Sequence, residues 1–123
     1  MVYLKFYDKE KEEFPQEKLM LIPTQKDVIK IVNKLVRHFK LSPLDVTFRK
    51  RKAHAGEYYK AKRWRKAYVN FHKSKFNLLI VIHEVAHHFL RDKTGKSPHT
   101  KKLMTLIRRL VKYCRKMDYW GLN

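Results

Sequence analysis

Residues 75–91, KFNLLIVIHEVAHHFLR, constrain this chain more than any other stretch. At the helical period, Phe76, Leu78, Leu79, Ile80, Val81, Ile82, Val85 and Phe89 fall on nearly every side rather than along one stripe. Such a helix has no broad face to give to water, so it must run through the middle of a domain. Ser74 is its expected N-cap, and DKTGK at 92–96 is the expected loop after it. The same stretch also holds His83, Glu84, His87 and His88. Burying polar groups without partners costs on the order of several kcal/mol. The helix therefore predicts partners for these side chains.

His83 and His87 are four residues apart, hence neighbours on one helix face with β-carbons about 5–6 Å apart. Two imidazoles so placed reach a single zinc ion at about 2.0–2.1 Å. Glu84 is offset around the helix, where it reaches a water beside the metal without binding the metal itself, as the base of a His-Glu-x-x-His motif must. A catalytic zinc takes three protein ligands and keeps one position open. The metzincin spacing needs a glycine and a histidine where this chain has Leu90 and Lys93. The gluzincin spacing needs a downstream glutamate, and none follows Glu84. Asp92 is too near in sequence to fold back comfortably, and Asp118 lies in a polar tail. His99 remains, with a five-residue loop to return the chain and a new helix to present it in its first turn. His88 points about 100° away from His87 and cannot share its metal; it is expected to support the site or to lie at the surface. His38, His54 and His72 are isolated and read as surface residues, although His72 lies close to the histidine helix.

The remaining pattern predicts a single α+β domain over 1–123, with an arm at 1–22 and a core at 25–115. Thr24, followed three residues later by Asp27, marks a helix start. Val28, Ile31, Val32, Leu35, Val36 and Phe39 then follow at helical spacing over 25–40, and LSP at 41–43 ends the helix. LDVTFRKRK alternates as a half-buried strand, Gly56 separates it from EYYKA, and WRKAYVNFH at 64–72 is the strongest strand. Ser97 and Pro98 supply an N-cap and a first-turn proline for a last helix. That helix has Leu103, Leu106, Ile107, Leu110, Val111 and Cys114 on one face, and Lys101, Lys102, Arg108, Arg109, Lys112, Arg115 and Lys116 on the other.

Charge narrows the partners. Thirty Lys and Arg face eleven Asp and Glu, a formal net charge of +19. A field of that sign attracts polyanions, foremost nucleic acid. Residues 49–75 concentrate it, with Tyr58, Tyr59, Trp64, Tyr68 and Phe71 interleaved, a mixture suited to phosphate contact and base stacking. The expected contacts are Arg49, Lys50, Arg51, Lys52, Arg63, Arg65 and Lys66, joined by Arg108, Arg109 and Lys112 of the last helix. The competing reading makes the aromatics sheet core and the charges a solvated face. One cysteine, Cys114, excludes an internal disulfide and any zinc ribbon or finger built on two or more cysteines. An N-terminus that becomes charged early and the lack of a long apolar run predict a cytoplasmic protein without membrane spans, nucleoid-associated if it binds DNA.

The motif HEVAH at 83–87, the histidine in SPHTKKLM and the preceding AGEYY and WRKAYVNFH strands together resemble the SprT-like zinc metallopeptidases, the Spartan-related family. The resemblance covers roughly residues 25–115. It implies a zincin-like domain in which one Zn2+ per chain is bound by His83, His87 and His99, with Glu84 catalytic. It also implies protein substrates associated with DNA. The chain departs from the family in having Pro98 and Thr100 beside the third histidine, where members often carry a glycine, and in lacking cysteines for a C-terminal zinc ribbon. Two other functions fit the same residues: a nucleic-acid-binding protein with a structural or inactive zinc site, and a regulatory peptidase that cleaves a repressor. The strand at 65–72 is expected to pair with an extended peptide.

Overall fold

The computed structural model describes residues 24–49, 56–72, 77–96 and 99–116. The expected arm at 1–22, the Ser74 cap, the Ser97–Pro98 helix start and His54 lie outside them. Three helices and a three-stranded mixed sheet form a small α+β domain: α1 (Gln25–His38), β1 (Leu44–Arg49), β2 (Gly56–Tyr59), β3 (Ala67–His72), α2 (Leu78–Thr94) and α3 (Lys101–Lys116). None of the described helices is long and apolar enough to cross a membrane.

α1 starts where the sequence predicts, with the Thr24 hydroxyl accepting from the Asp27 amide at 3.1 Å. Val28, Ile31, Val32 and Leu35 are fully buried, as the period requires. The helix ends earlier than expected, at His38. Lys40 takes a left-handed φ of 54°, its amide donates to Arg37 O, and the Leu41 amide donates to Val36 O. That pair of bonds is a Schellman motif built without glycine.

β3 is the middle strand. It pairs in parallel with β1, Val46 opposite Val69, and antiparallel with β2, Tyr58 opposite Val69. This corrects the expectation that the 65–72 segment offers itself to a peptide, because both its edges are already taken. The strand is also shorter than 64–72, since residues 64–66 belong to the turn that precedes it. Gly56 opens β2 instead of standing between strands. A β-carbon there would lie 2.9 Å from the buried Phe71 ring and 3.0 Å from Ile80, so the close approach of β2 needs the bare backbone.

α2 runs through the centre as its composition demands, packing against α1, α3, β2 and β3. From Leu78 to Leu90 every residue except Ile80 is buried. Its cap is Asn77, whose Oδ1 accepts from the Ile80 amide at 2.9 Å. It also extends past Arg91 through Asp92, Lys93 and Thr94. Gly95, at φ 79°, closes it with a 2.7 Å bond to Arg91 O. The expected loop is thus mostly helix, because the stop signal is the glycine and not the charges before it. α3 buries Leu103, Met104, Leu106, Ile107, Leu110, Val111 and Cys114, and exposes its basic face.

Two substitutions test this backbone. A left-handed lysine costs roughly 1–2 kcal/mol, more than the roughly 0.5–1 kcal/mol entropy cost of glycine. Lys40→Gly should therefore raise stability by about 0.5–1 kcal/mol. Gly56→Ala should lower it by about 1–3 kcal/mol through overpacking against Phe71. Urea midpoints measured at constant m-value read both.

Candidate metal centre

His83 and His87 lie on the stripe of α2 that faces the start of α3, and His99 sits two residues before that helix begins. Gly95, left-handed at φ 79°, ends α2, and His99 follows four residues later, just before α3. His99 is therefore in the bend before α3 and not in its first turn. The three imidazoles converge. His83 Nε2 is 3.1 Å from His87 Nε2 and 3.3 Å from His99 Nε2, and all three ligand atoms lie within 4.8 Å of one another.

A neutral imidazole nitrogen carries either one proton or one lone pair. His83 Nε2 cannot satisfy both close neighbours by hydrogen bonding. Three lone pairs around a cation can. Tetrahedral coordination at about 2.0–2.1 Å puts ligand nitrogens about 3.3 Å apart, close to the 3.1 and 3.3 Å that separate His83 Nε2 from the other two rings. Burial pushes the His83 pKa down to about 4. The same cause, aided by His83 itself, pushes His99 to about 4, so both rings present lone pairs at neutral pH. The residues fit a metal ion. Glu84 is buried at 4% exposure on the same helical turn as His83 and is not part of the ligand cluster.

His88 is where the sequence says least. It is not at the surface, being 1% exposed. Its Nε2 lies 2.8 Å from the Ser42 carbonyl oxygen, which can only accept, so that nitrogen carries a proton. In the neutral ring, Nδ1 then accepts from the Tyr58 hydroxyl at 2.9 Å. Burial, partly opposed by Arg91, pushes the Tyr58 pKa up to about 12, which keeps the hydroxyl a donor. Ser42 in turn donates its amide and its hydroxyl to Asp92, each at 2.7 Å. Asp92 thus has work elsewhere and is no ligand. Tyr58 lies parallel to the His87 ring at 6.5 Å, so this chain of bonds ends beside the histidine cluster. Ser42 carries no sequence signal for such a role, since it looks like ordinary helix-terminating punctuation.

Among the described residues, His38 and His72 stay apart from the cluster. His38 stacks on Tyr113 at 4.1 Å, and His72 ends β3 opposite Arg49. A pocket of about 480 Å³ between the end of α2 and the start of α3 is lined by Leu90, Thr94, Lys96, Thr100, Lys101 and Lys102, without any of the three histidines. Leu90 and Thr94 follow His83 and His87 along the same stripe of α2.

The expected nucleic-acid contacts separate into three places. Arg49 is exposed at the end of β1; Arg63, Arg65 and Lys66 are exposed between β2 and β3; Arg108, Arg109 and Lys112 are exposed on α3. Lys50, Arg51 and Lys52 lie outside the described residues. Arg109 rests over the Phe39 and Phe89 rings, 5.2 and 5.5 Å from their centroids. Of the interleaved aromatics, Phe71 is core, Tyr58 packs against it, and Trp64 stands in water.

Compared with protein-family models, with curated proteins and with solved structures, the chain finds no match in any of the three. What stands is a small α+β domain with a three-histidine group able to hold a metal ion.

If these three imidazoles form the site, His99→Ala should abolish stoichiometric metal after gel filtration, while His72→Ala should keep it. Metal analysis of both chains decides the matter, and unchanged loading in His99→Ala would remove His99 from the ligand set.

Proposed function

We propose that this chain is a zinc-dependent peptidase that hydrolyses peptide bonds in proteins associated with DNA. The observation that carries the reading is the convergence of His83, His87 and His99 with Glu84 on the same helical turn as the first ligand. Imidazole ligands suit several transition metals. A His-Glu-x-x-His pair completed by one further imidazole favours zinc. Three protein ligands, with no fourth among the described residues, favour a catalytic over a structural role. The substrate class comes from the SprT-like resemblance and from the charge of +19.

A bound zinc ion supplies Lewis acidity toward a carbonyl and makes water a nucleophile near neutral pH. The chain's own residues do the rest. Glu84 takes the proton of the attacking water and passes it to the leaving nitrogen, so that amine and acid leave as neutral partners before they ionise. Being buried, its carboxylate works with little competing solvent. Tyr58, fixed by its bond to His88, lies parallel to the His87 ring and bounds that side of the centre. Among the described residues β2, unlike β3, has one edge without a strand beside it, and through Tyr58 it touches the histidine helix. An extended peptide pairing there would lie along α2. The pocket lined by Leu90, Thr94 and Thr100 then takes a substrate side chain, with Lys96, Lys101 and Lys102 also lining it.

Glu84→Gln separates binding from chemistry, because an amide of the same shape cannot accept the proton. The variant should keep its zinc content and its melting temperature and lose roughly 10²–10⁴-fold in rate. The readout is cleavage of an unfolded protein substrate with and without chelator. Proteolysis at the wild-type rate would reject Glu84 as the base.

A further inference from the structure

The segment Lys60–Lys66, KAKRWRK, joins β2 to β3. Lys62 and Arg65 close it with a reciprocal pair of backbone bonds, Lys62 N to Arg65 O at 2.8 Å and Arg65 N to Lys62 O at 3.1 Å. Arg63 and Trp64 are therefore the two corner residues of a tight turn. The Trp64 indole is 80% exposed, and the only other exposed large hydrophobic residue among those described is Ile29 at 43%. Nothing in the fold accounts for so large an apolar ring at the tip of a hairpin. Around it Lys60, Lys62, Arg63, Arg65 and Lys66 are all exposed.

The hairpin below the tip is already built of stacked planes. The Arg65 guanidinium lies 4.3 Å over the Tyr68 ring and donates Nη1 to its hydroxyl at 3.4 Å. Tyr68 stacks on its cross-strand partner Tyr59 at 4.6 Å and 15°. The single acid of the hairpin, Glu57, accepts the Tyr59 hydroxyl at 2.6 Å. Flat surfaces flanked by cations match a flexible polyanion that carries flat, unpaired rings. A duplex offers the phosphates but keeps its bases stacked on each other. A membrane would bury one indole here and meet five cations, too little apolar surface to hold the tip in place.

We infer that the β2–β3 hairpin is a docking site for single-stranded nucleic acid. Trp64 stacks on an unpaired base, and Lys62, Arg63, Arg65 and Lys66 meet the flanking phosphates. The inference extends the nucleic-acid side of the proposed function and does not depend on the zinc side, because the tip contains none of the metal-centre residues.

The test uses the full chain and a short labelled oligothymidylate, followed by fluorescence anisotropy, beside a duplex of matched length. Trp64→Ala should weaken oligothymidylate binding roughly 5- to 150-fold, the loss of one base stack, and Trp64→Tyr should recover most of it. Duplex affinity should barely change. Stacking releases no counterions, so the salt slope should stay the same in Trp64→Ala and fall by up to about two units when Arg63 and Arg65 both become alanine. In a Trp120→Phe chain, the oligonucleotide should quench Trp64 emission directly, a readout that leaves residue 64 untouched. Equal oligothymidylate binding by Trp64→Ala, an equal loss on duplex, or unquenched Trp64 would each overturn the proposal. So would Trp64-dependent binding to phosphatidylserine vesicles with oligonucleotide binding unchanged. The readout is binding, and a Glu84→Gln chain gives it as well, so failure here leaves the peptidase reading intact and the reverse also holds.

Discussion

The structure depends on one tension: His83, Glu84, His87 and His88 are buried within a helix whose other surroundings are hydrocarbon. Polar groups in that setting destabilise the fold unless each finds a partner. Meeting that demand fixes much of the chain's path. His83 and His87 have His99 beside them, so α3 begins close to the α2 stripe, after the left-handed Gly95 has ended α2. His88 requires an acceptor and a donor on a different side of the helix. Those come from the Ser42 carbonyl after α1 and the Tyr58 hydroxyl on β2. One helix thus dictates where three other segments lie.

The same demand explains the order of the sheet. For Tyr58 to reach His88, β2 must lie over α2, while β1 follows α1 directly and stays on the α1 side. The strand between them is then β3, buried along most of its length. A central position suits the most apolar and aromatic strand of the three, since it is the one without an edge. Strength as a strand and availability as an edge are opposed properties. That opposition is why reading the best strand as the peptide-pairing one fails here.

The sequence announces those features that depend on local period and spacing. The amphipathic faces of α1 and α3, the all-round burial of α2 and the His83–His87 pair follow from residue order, and the structure keeps them. His99 emerges only by elimination, because its partner ligands are twelve and sixteen residues away. Helix ends are less legible. Lys40 adopts a conformation that glycine would signal, and Asp92–Thr94 look like loop residues until Ser42 and Gly95 are seen to hold them in helix. The role of His88 is the least legible of all. Its partners, Ser42 and Tyr58, are 46 and 30 residues away in sequence and carry no motif. Polar groups that satisfy each other across long separations leave no period to read.

Consecutive tyrosines on β2 show how much rests on strand register. Tyr58 faces α2, where its hydroxyl meets His88 and its ring lies parallel to His87. Tyr59 faces the opposite side of the sheet and stacks on Tyr68, which in turn carries Arg65. Side chains alternate along a strand, so a slip of one residue would exchange the two roles. The Lys62–Arg65 turn sets that register from one end, and Gly56, pressed against Phe71, sets it from the other. Four residues of β2 therefore set Tyr58 against the histidine helix on one face of the sheet and Tyr59 against Tyr68 on the other. The coupling between them is geometric. β2 cannot shift along β3 without withdrawing the Tyr58 hydroxyl from His88, and with it the ring that lies parallel to His87.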